Sequence, residues 1–232
     1  MTRQLRQRRV RRRPPRVRQR ITICEWWGDR RDARLTGRAG IPAVDTPELV
    51  LTGRQSVIAR RADQRAARWQ RWAHTATATD QAVLARVDEA RRRLETVLAE
   101  AGDDADRAVA ATPTDRLPAE AGISDTVVAG RRRIDAERAA GPARARASAA
   151  RAELDEMSAR AAELDETIRS AWRHARAGVL AVTALANRRE AAYWSRLCLH
   201  HPEGASLAAR FDHPRLNLPA WVTDLECERT SR

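Results

Sequence analysis

The chain has no lysine, and its 232 residues include only one tyrosine, one phenylalanine and two methionines. Alanine supplies much of the 43% hydrophobic content, whereas large aliphatic residues are sparse outside a few segments. Apolar burial stabilises a fold by about 25 cal/mol per Å², and alanine buries too little surface to build a wide core. The composition therefore disfavours a broad globular domain and is typical of long, closely packed helices.

Long apolar runs and a regular cysteine pattern are also missing. The most apolar stretch, 179–186, has eight residues, whereas about 20 are needed to span a bilayer. The positive N-terminal segment is not followed by the apolar stretch of a secretory signal. Cys24, Cys198 and Cys227 are an odd number without close spacing, which disfavours a disulfide framework. We therefore expect a cytoplasmic protein.

The positive charge is concentrated at the N-terminus. Residues 1–20 hold ten of the 44 arginines and no acidic residue, whereas the rest of the chain holds 34 arginines against 31 acidic residues. Mutual repulsion of these charges, together with Pro14 and Pro15, predicts a disordered cationic arm over 1–20. The use of arginine in place of lysine, with abundant alanine, is also typical of a GC-rich bacterial genome.

The arm is suited to a polyanionic partner. Several of its guanidinium groups can neutralise phosphates, so binding should weaken steeply as salt increases. Nothing in the segment is designed to recognise base edges, so we expect it to bind DNA or RNA without sequence specificity. Anionic lipid is the second candidate partner, after nucleic acid. It is considered because Trp26 and Trp27 follow the arm and suit a membrane interface. A solvated tail without a ligand, or a start codon assigned too far upstream, stays open. The predicted nucleic-acid-binding residues are Arg3, Arg6, Arg8, Arg9, Arg11, Arg12, Arg13, Arg16, Arg18 and Arg20.

Apolar residues at alternating steps of four and three predict a helical coiled-coil region over 54–200. Breakers predict an interruption at about 102–125, and Pro142 predicts a kink near 141–142. We use the word seam for such a row of positions, which faces the partner helix. The first seam consists of Ile58, Ala62, Arg65, Trp69, Trp72, Ala76, Thr79, Val83, Val87, Ala90, Leu94, Val97 and Ala101. The second, uninterrupted by charge, consists of Ala143, Ala147, Ala150, Leu154, Met157, Ala161, Leu164, Ile168, Ala171, Ala175, Gly178, Val182 and Leu185. It fails at Arg189 and returns weakly at Ala192 and Leu199.

The predicted fold class is all-α, a long antiparallel helical hairpin or coiled coil. Glycines and prolines predict that 21–53 is an irregular connector with a short apolar patch. Residues 201–232 should form a loop-rich tail that folds back over a helix end or adds a short helix. Because alanine-rich seams leave the hairpin thin, we expect the coil to self-associate or to bind a partner helix.

Tryptophans beside arginines resemble a stacking surface for single-stranded nucleic acid. Trp69 and Trp72 have arginines four residues before them, at the spacing of cation–π neighbours on a helix. Both also occupy the predicted seam, and this position favours packing against the other helix. The same interpretation applies to Trp172 and Trp194.

Metal and catalytic signatures are weak. The only cluster that resembles metal ligands is Cys198, His200, His201, His213 and Cys227. Its spacing matches no zinc pattern, so no metal is predicted, although binding there stays open. The densest carboxylates are Glu153, Asp155, Glu156, Glu163, Asp165 and Glu166. Pairs such as Glu156 and Arg160 are four residues apart, which indicates a solvated, ion-paired face. We expect no enzymatic activity, no cofactor and no small-molecule substrate.

Two functional hypotheses follow. In the first, the protein is a non-enzymatic coiled-coil scaffold or adaptor whose arm binds nucleic acid without sequence specificity. In the alternative, it is a structural coiled coil that docks onto a helical protein partner, with or without association with an anionic membrane surface. The arm then has a lipid partner or none.

Overall fold

A computed structural model describes residues 13–18, 20–40, 52–111 and 123–223. Within these ranges the regular secondary structure is helical, and no β-strand is present. The helices are α1 (Ile23–Ala39), α2 (Gly53–Ala110), α3 (Ile123–His200) and α4 (Gly204–Arg210). Helices α2 and α3 pack against each other as a hairpin, so the predicted all-α hairpin is confirmed. No helix in the described part is long and apolar enough to cross a bilayer.

Contacts divide the chain into two compact units. We call Met1–Thr77 together with Arg169–Arg232 the core unit, and Ala78–Ile168 the hairpin unit. In the core unit, helices and tail enclose one large hydrophobic cluster that includes Ile58, Tyr193 and Leu197. Tail residues such as Phe211 and Trp221 pack against it. The tail therefore folds back over the helices, as its apolar residues predicted.

The hairpin unit has only small apolar clusters. Val87 packs with Leu164 in one of them, and Ala105 packs with Ala140 and Ala143 in another. As α2 proceeds, its partners lie progressively earlier in α3, so the two helices are antiparallel within this unit. The second cluster consists of alanines alone, whereas the first also includes Val83, Leu84 and Met157.

The predicted seam of α3 agrees closely with the structure. All thirteen of its positions are buried or half-buried. Helix α3 continues through Pro142, so this proline does not end the helix, and the predicted kink there stays a prediction. Helix α2 likewise extends past Gly102 to Ala110, so the interruption is shorter than expected.

The predicted seam of α2 is partly wrong. It is correct through Trp72, but Ala76 and Thr79 are exposed, and Ala73 and Thr77 are buried in their place. From Val83 to Ala101 the predicted positions are again buried or half-buried, except Val97, which is exposed. A straight α-helix has 3.6 residues per turn, so its buried stripe drifts away from a strict repeat of 3.5. The return of the α3 seam at Leu199 is also wrong, since that side chain is exposed.

The region 21–53 is not an irregular connector throughout, because it contains α1. Thr22 and Glu25 form a capping box that starts this helix. The Glu25 backbone N–H donates to Thr22 Oγ1 at 3.2 Å, and the Thr22 backbone N–H donates to Glu25 Oε2 at 3.2 Å. Gly37 does not break α1. Its missing side chain lets α1 approach α3, where a Cβ would lie 2.7 Å from His200 Cβ.

Candidate nucleic-acid interface

Four of the ten predicted nucleic-acid-binding arginines lie within the described residues. Arg13, Arg16, Arg18 and Arg20 are all exposed. The other six lie outside the described residues: Arg3, Arg6, Arg8, Arg9, Arg11 and Arg12. The prediction of a disordered arm also falls mostly outside them, but it needs correction at its end, because Val17 packs against the hydrophobic cluster of the core unit.

The end of the arm lies over α2 and α3 and forms a basic cleft with them. We use this name for the concave surface lined by Pro15, Arg16, Arg18, Arg65, Arg68, Trp69, Val182 and Leu185. Four of these lining residues are arginines and none is acidic. Because one side of the cleft is the arm and the other is α2, the fold places charges that are distant in sequence around one space.

The cleft has unneutralised positive charge. Arg65 Nη2 lies 3.5 Å from Glu25 Oε1, so part of its charge is compensated. Arg16, Arg18 and Arg68 are exposed and form no ion pair with any described residue. A planar guanidinium group donates two parallel hydrogen bonds to phosphate oxygens. The cleft is therefore suited to an extended anionic ligand.

Trp69 forms the floor of the cleft and has a structural role. Its side chain is 3% exposed and packs against Gly178, where a Cβ would overlap the indole ring. It makes edge-to-face contacts with Trp72 and His174, with ring centroids 5.8 and 5.5 Å apart. Trp72 and Trp172 are half-buried against the same cluster, and Trp194 is buried in it. The packing interpretation of these tryptophans is confirmed.

A buried ion network holds α1 against α2 and α3 beside the cleft. Asp29, only 2% exposed, accepts hydrogen bonds from Arg189 Nε at 2.6 Å and from Arg189 Nη2 at 2.9 Å. Arg54 Nε donates to the same carboxylate at 2.6 Å. The predicted seam of α3 ends at Arg189 because this residue is charged. Arg189 is nevertheless buried, since Asp29 neutralises its charge there.

Glu25 connects this network to the cleft. Arg189 Nη1 and Arg65 Nη2 each lie 3.5 Å from its Oε1 atom. Burial by itself raises the pKa of Glu25, but hydrogen bonds from Thr22 and the charges of Arg189 and Arg65 outweigh it and lower the pKa. The carboxylate is therefore ionised at neutral pH and fixes the position of Arg65.

Glu190 is a second buried carboxyl group, and unlike Glu25 it lacks hydrogen bonds from the described residues. Its side chain is 1% exposed, and neither carboxylate oxygen accepts a hydrogen bond from a described residue. Burial raises its pKa to about 7, although the charge of Arg189 acts in the opposite direction. Gln55 Nε2 likewise has no hydrogen-bond partner among the described residues. The Glu190 carboxyl therefore titrates near neutral pH.

The sequence prediction missed the outer face of α1. We use this name for the exposed residues Ile23, Cys24, Trp27, Arg31, Arg34, Leu35 and Arg38. The three acidic residues of α1 contact arginines, and two of them reach α3: Glu25 and Asp29 bind Arg189. The signal that could have located this helix is the Thr22-x-x-Glu25 capping box before an apolar pair of tryptophans.

The remaining candidate clusters are the Cys198 and histidine group and the carboxylates of α3. In the described part of the chain, no group of three or more His, Cys, Asp or Glu side chains is placed to hold a metal ion. Cys198 is buried, and burial raises the pKa of its thiol; Cys227 lies outside the described residues. The predicted carboxylate face of α3, Glu153 to Glu166, is exposed or half-exposed, as expected of a solvated surface.

Comparison with known proteins gives no match. No protein-family model, no curated protein and no solved structure is similar to this chain. The function must therefore be inferred from the chemistry of the residues described above.

Proposed function

We propose that this protein is a non-enzymatic helical scaffold whose N-terminal arginines bind the phosphate backbone of nucleic acid without sequence specificity. The basic cleft is the observation that supports this proposal most directly. In it, Arg16 and Arg18 of the arm lie beside Arg65 and Arg68 of α2, and no acidic side chain lines the surface. A ligand with regularly repeated negative charges complements this arrangement.

The end of the arm that packs against the core unit holds its arginines in a defined position for the ligand. Val17 is packed against the core unit, so Arg16 and Arg18 on either side of it are held near α2. This arrangement reduces the conformational entropy that the arm loses on binding. Residues 13–18 are not helical, so this segment does not have the form of a helix that enters a major groove and recognises base edges. Affinity should therefore depend on charge and salt.

The test is a salt series of fluorescence anisotropy titrations with duplex and single-stranded oligonucleotides of scrambled sequence. The variant Arg16→Ala/Arg18→Ala/Arg68→Ala removes three charges from the cleft. Its matched control, Arg144→Ala/Arg151→Ala/Arg160→Ala, removes three exposed arginines from the hairpin unit. We expect the cleft variant to bind about tenfold more weakly or worse and to reduce the salt slope by about 2 to 3, because each neutralised phosphate contributes about 0.9 to that slope on duplex DNA. The control should change affinity by less than about twofold.

Equal losses in the two variants would show that total charge, and not the cleft, governs binding. Failure of the native chain to bind either oligonucleotide at low salt would refute the proposal.

Exposed aliphatic residues in the hairpin unit favour a second candidate function, a coil for protein–protein interaction. Val127 and Ile134 are seven residues apart, on one side of α3, and are 65% and 56% exposed. Such a face is suited to a second copy of the chain. Sedimentation equilibrium should then show concentration-dependent dimers that Val127→Ser/Ile134→Ser abolishes, whereas a native chain that stays monomeric would exclude self-association.

A further inference from the structure

We infer that the outer face of α1 docks onto an anionic lipid surface. Three of its side chains are large, apolar and open to solvent: Ile23 is 75% exposed, Trp27 is 57% exposed and Leu35 is 60% exposed. They belong to one helix of 17 residues. Exposed apolar side chains grouped on a single helix face usually mark an interaction surface.

Spacing places these side chains on the same face as a set of arginines. Steps of four and three connect Ile23, Trp27, Arg31, Arg34 and Arg38, which is the period of one side of an α-helix. Arg30, Arg31, Arg34 and Arg38 line a shallow groove along this side, together with Cys24, Trp27, Gly28 and Leu35. No acidic residue lines that groove.

Two of the three acidic residues of α1, Glu25 and Asp29, are bound by arginines of α2 and α3 and do not line this groove. Asp29 is bound by Arg54 and Arg189, and Glu25 is bound by Arg189. Asp32 is the nearest acid to the outer face, where Arg31 Nε donates to it at 3.3 Å. Arg34 and Arg38 form no ion pair with a described residue. Glu25 and Asp29 are thus bound on the inner side of the helix, whereas Arg31, Arg34 and Arg38 are exposed on its outer face.

Three occupants can be compared by their chemistry. A second copy of the same face would bring arginines against arginines, which is repulsive. A nucleic-acid backbone would satisfy the arginines but leave Ile23 and Leu35 uncovered. An anionic lipid surface accommodates both sets, because apolar side chains enter the acyl boundary while arginines contact lipid phosphates. Trp27 is also the residue type that prefers the boundary between apolar and aqueous phases.

The face is rigid before any lipid binds. The capping box of Thr22 and Glu25 fixes the start of α1, and the Asp29 ion network fixes its orientation against α3. Arg30 lies over both Trp26 and Trp27, 5.3 and 5.7 Å from the ring centroids. Such preorganisation lowers the entropic cost of docking.

The chain itself offers a reporter for this face. Cys24 is exposed, whereas Cys198 is buried. In the background Cys198→Ala/Cys227→Ala, an environment-sensitive fluorophore attached to Cys24 should shift to shorter wavelength with vesicles of phosphatidylcholine and phosphatidylglycerol. It should not shift with phosphatidylcholine alone, because arginines attract the helix only to a negative surface.

The decisive experiment is vesicle co-sedimentation of the unlabelled full-length chain. The variant Ile23→Ser/Trp27→Ser/Leu35→Ser should lose binding to the anionic vesicles by about tenfold or more, because the apolar contribution to interfacial binding is removed. The control Val97→Ser/Val109→Ser/Leu180→Ser removes three exposed aliphatic side chains from α2 and α3, away from the outer face of α1, and should bind vesicles like the native chain. Circular dichroism of both variants verifies that the helices are retained.

Three results would overturn the inference. One is undiminished vesicle binding by the outer-face variant while a chain without residues 1–12 no longer binds, since lipid would then contact the arm. Another is a Cys24 thiol that resists labelling in the free protein, because the chain itself would then cover the face. The third is an equal loss in the control variant. Because the outer-face variant keeps the basic cleft, its oligonucleotide affinity should stay native, so failure of this inference is distinguishable from failure of the proposed nucleic-acid binding.

Discussion

The core unit and the hairpin unit are built from the same two long helices but are held together by different chemistry. In the core unit, large side chains such as Trp69, Tyr193 and Leu197 surround a buried ion network. In the hairpin unit, one small cluster consists of alanines and the other of aliphatic residues around Val87 and Leu164. The comparison shows that one helical pattern can support two kinds of interior. The core unit, whose side chains are more varied, encloses the ion network of Asp29 and Arg189 and places Trp69 at the floor of the basic cleft.

The two units can be followed separately in one experiment. All seven tryptophans of the chain belong to the core unit. They are Trp26, Trp27, Trp69, Trp72, Trp172, Trp194 and Trp221. Tryptophan fluorescence therefore reports the unfolding of the core unit, whereas far-ultraviolet circular dichroism reports the helices of both. Each substitution below should affect the two signals differently.

The largest effect is expected for Asp29→Ala. The substitution leaves the buried Arg189 guanidinium without its bidentate partner, and breaking a buried pair in this way costs about 3 to 5 kcal/mol. The urea midpoint of the tryptophan signal should fall strongly. The control Asp135→Ala removes an exposed pair with Arg138 in the hairpin unit, and should change the free energy of unfolding by less than about 1 kcal/mol. Comparable shifts in the two variants would contradict the assignment of the Asp29 network as a main support of the core unit.

A smaller effect is expected from Glu190, and it depends on pH. The pKa of this carboxyl is raised from its ordinary 4.5 to about 7, so the folded state binds more protons than the unfolded state between these values. The free energy of unfolding should therefore decrease as pH rises from about 4.5 to about 7, in total by about 3 kcal/mol. Glu25 acts in a different range, because its lowered pKa stabilises the fold above its ordinary value and this contribution is lost on acidification.

The variant Glu190→Gln tests this dependence. The free energy of unfolding by urea is measured for the variant and the native chain at each pH, and the two values are subtracted. The contributions of the histidines and of Glu25 to the pH dependence are the same in both proteins and cancel. The difference should be near zero at acidic pH and should grow in favour of the variant as pH approaches 8. A difference that does not vary with pH would show that Glu190 titrates normally.

The smallest effect is expected for Gly178→Ala, which compares the two units along one helix. In the core unit a Cβ at Gly178 would overlap the indole ring of Trp69, and overpacking of this kind costs about 1 to 3 kcal/mol. The matched substitution Gly130→Ala lies in α3 of the hairpin unit, where no described atom lies within 4 Å of the added methyl group. It should stabilise the helix by about 0.5 to 1 kcal/mol, because alanine is the better helix former. Thermal unfolding followed by circular dichroism measures whether each substitution raises or lowers the melting temperature. A change in the same direction in both variants would contradict the predicted contrast.

Sequence periodicity was informative where the buried residues are uniform. The α3 seam from Ala143 to Leu185 consists of uncharged residues at constant spacing, and every position is buried or half-buried. It was less informative for α2, where arginines and tryptophans interrupt the pattern, so Ala76 and Thr79 were assigned to the wrong face. Helix α1 was missed because Gly28 and Gly37 resemble breakers, although Gly37 permits close packing of α1 on α3.

The candidate site was predictable only in part. Arginine density identified Arg16 and Arg18 of the arm, and spacing placed Arg65 and Arg68 beside Trp69 and Trp72, but neither pattern predicted that the two pairs line one cleft. Arg65 and Arg68 belong to the seam segment, and their position beside the arm depends on how Val17 packs. Sequence spacing contains no information on such a contact between distant segments.

The amino-acid sequence by itself determined the helical class, the buried stripe of α3 and the concentration of positive charge in the first 20 residues. These properties depend on composition and on the spacing of residues within a few turns of one helix, so neighbouring residues in the sequence are enough to determine them. Only the tertiary structure decided which charges are buried and which remain exposed. Asp29 and Arg189 are separated by 160 positions, and Arg189 is tolerated in the interior because Asp29 meets it there. The same packing turns Glu25 and Asp29 of α1 inward and leaves Arg31, Arg34 and Arg38, with Ile23, Trp27 and Leu35, on the outer face.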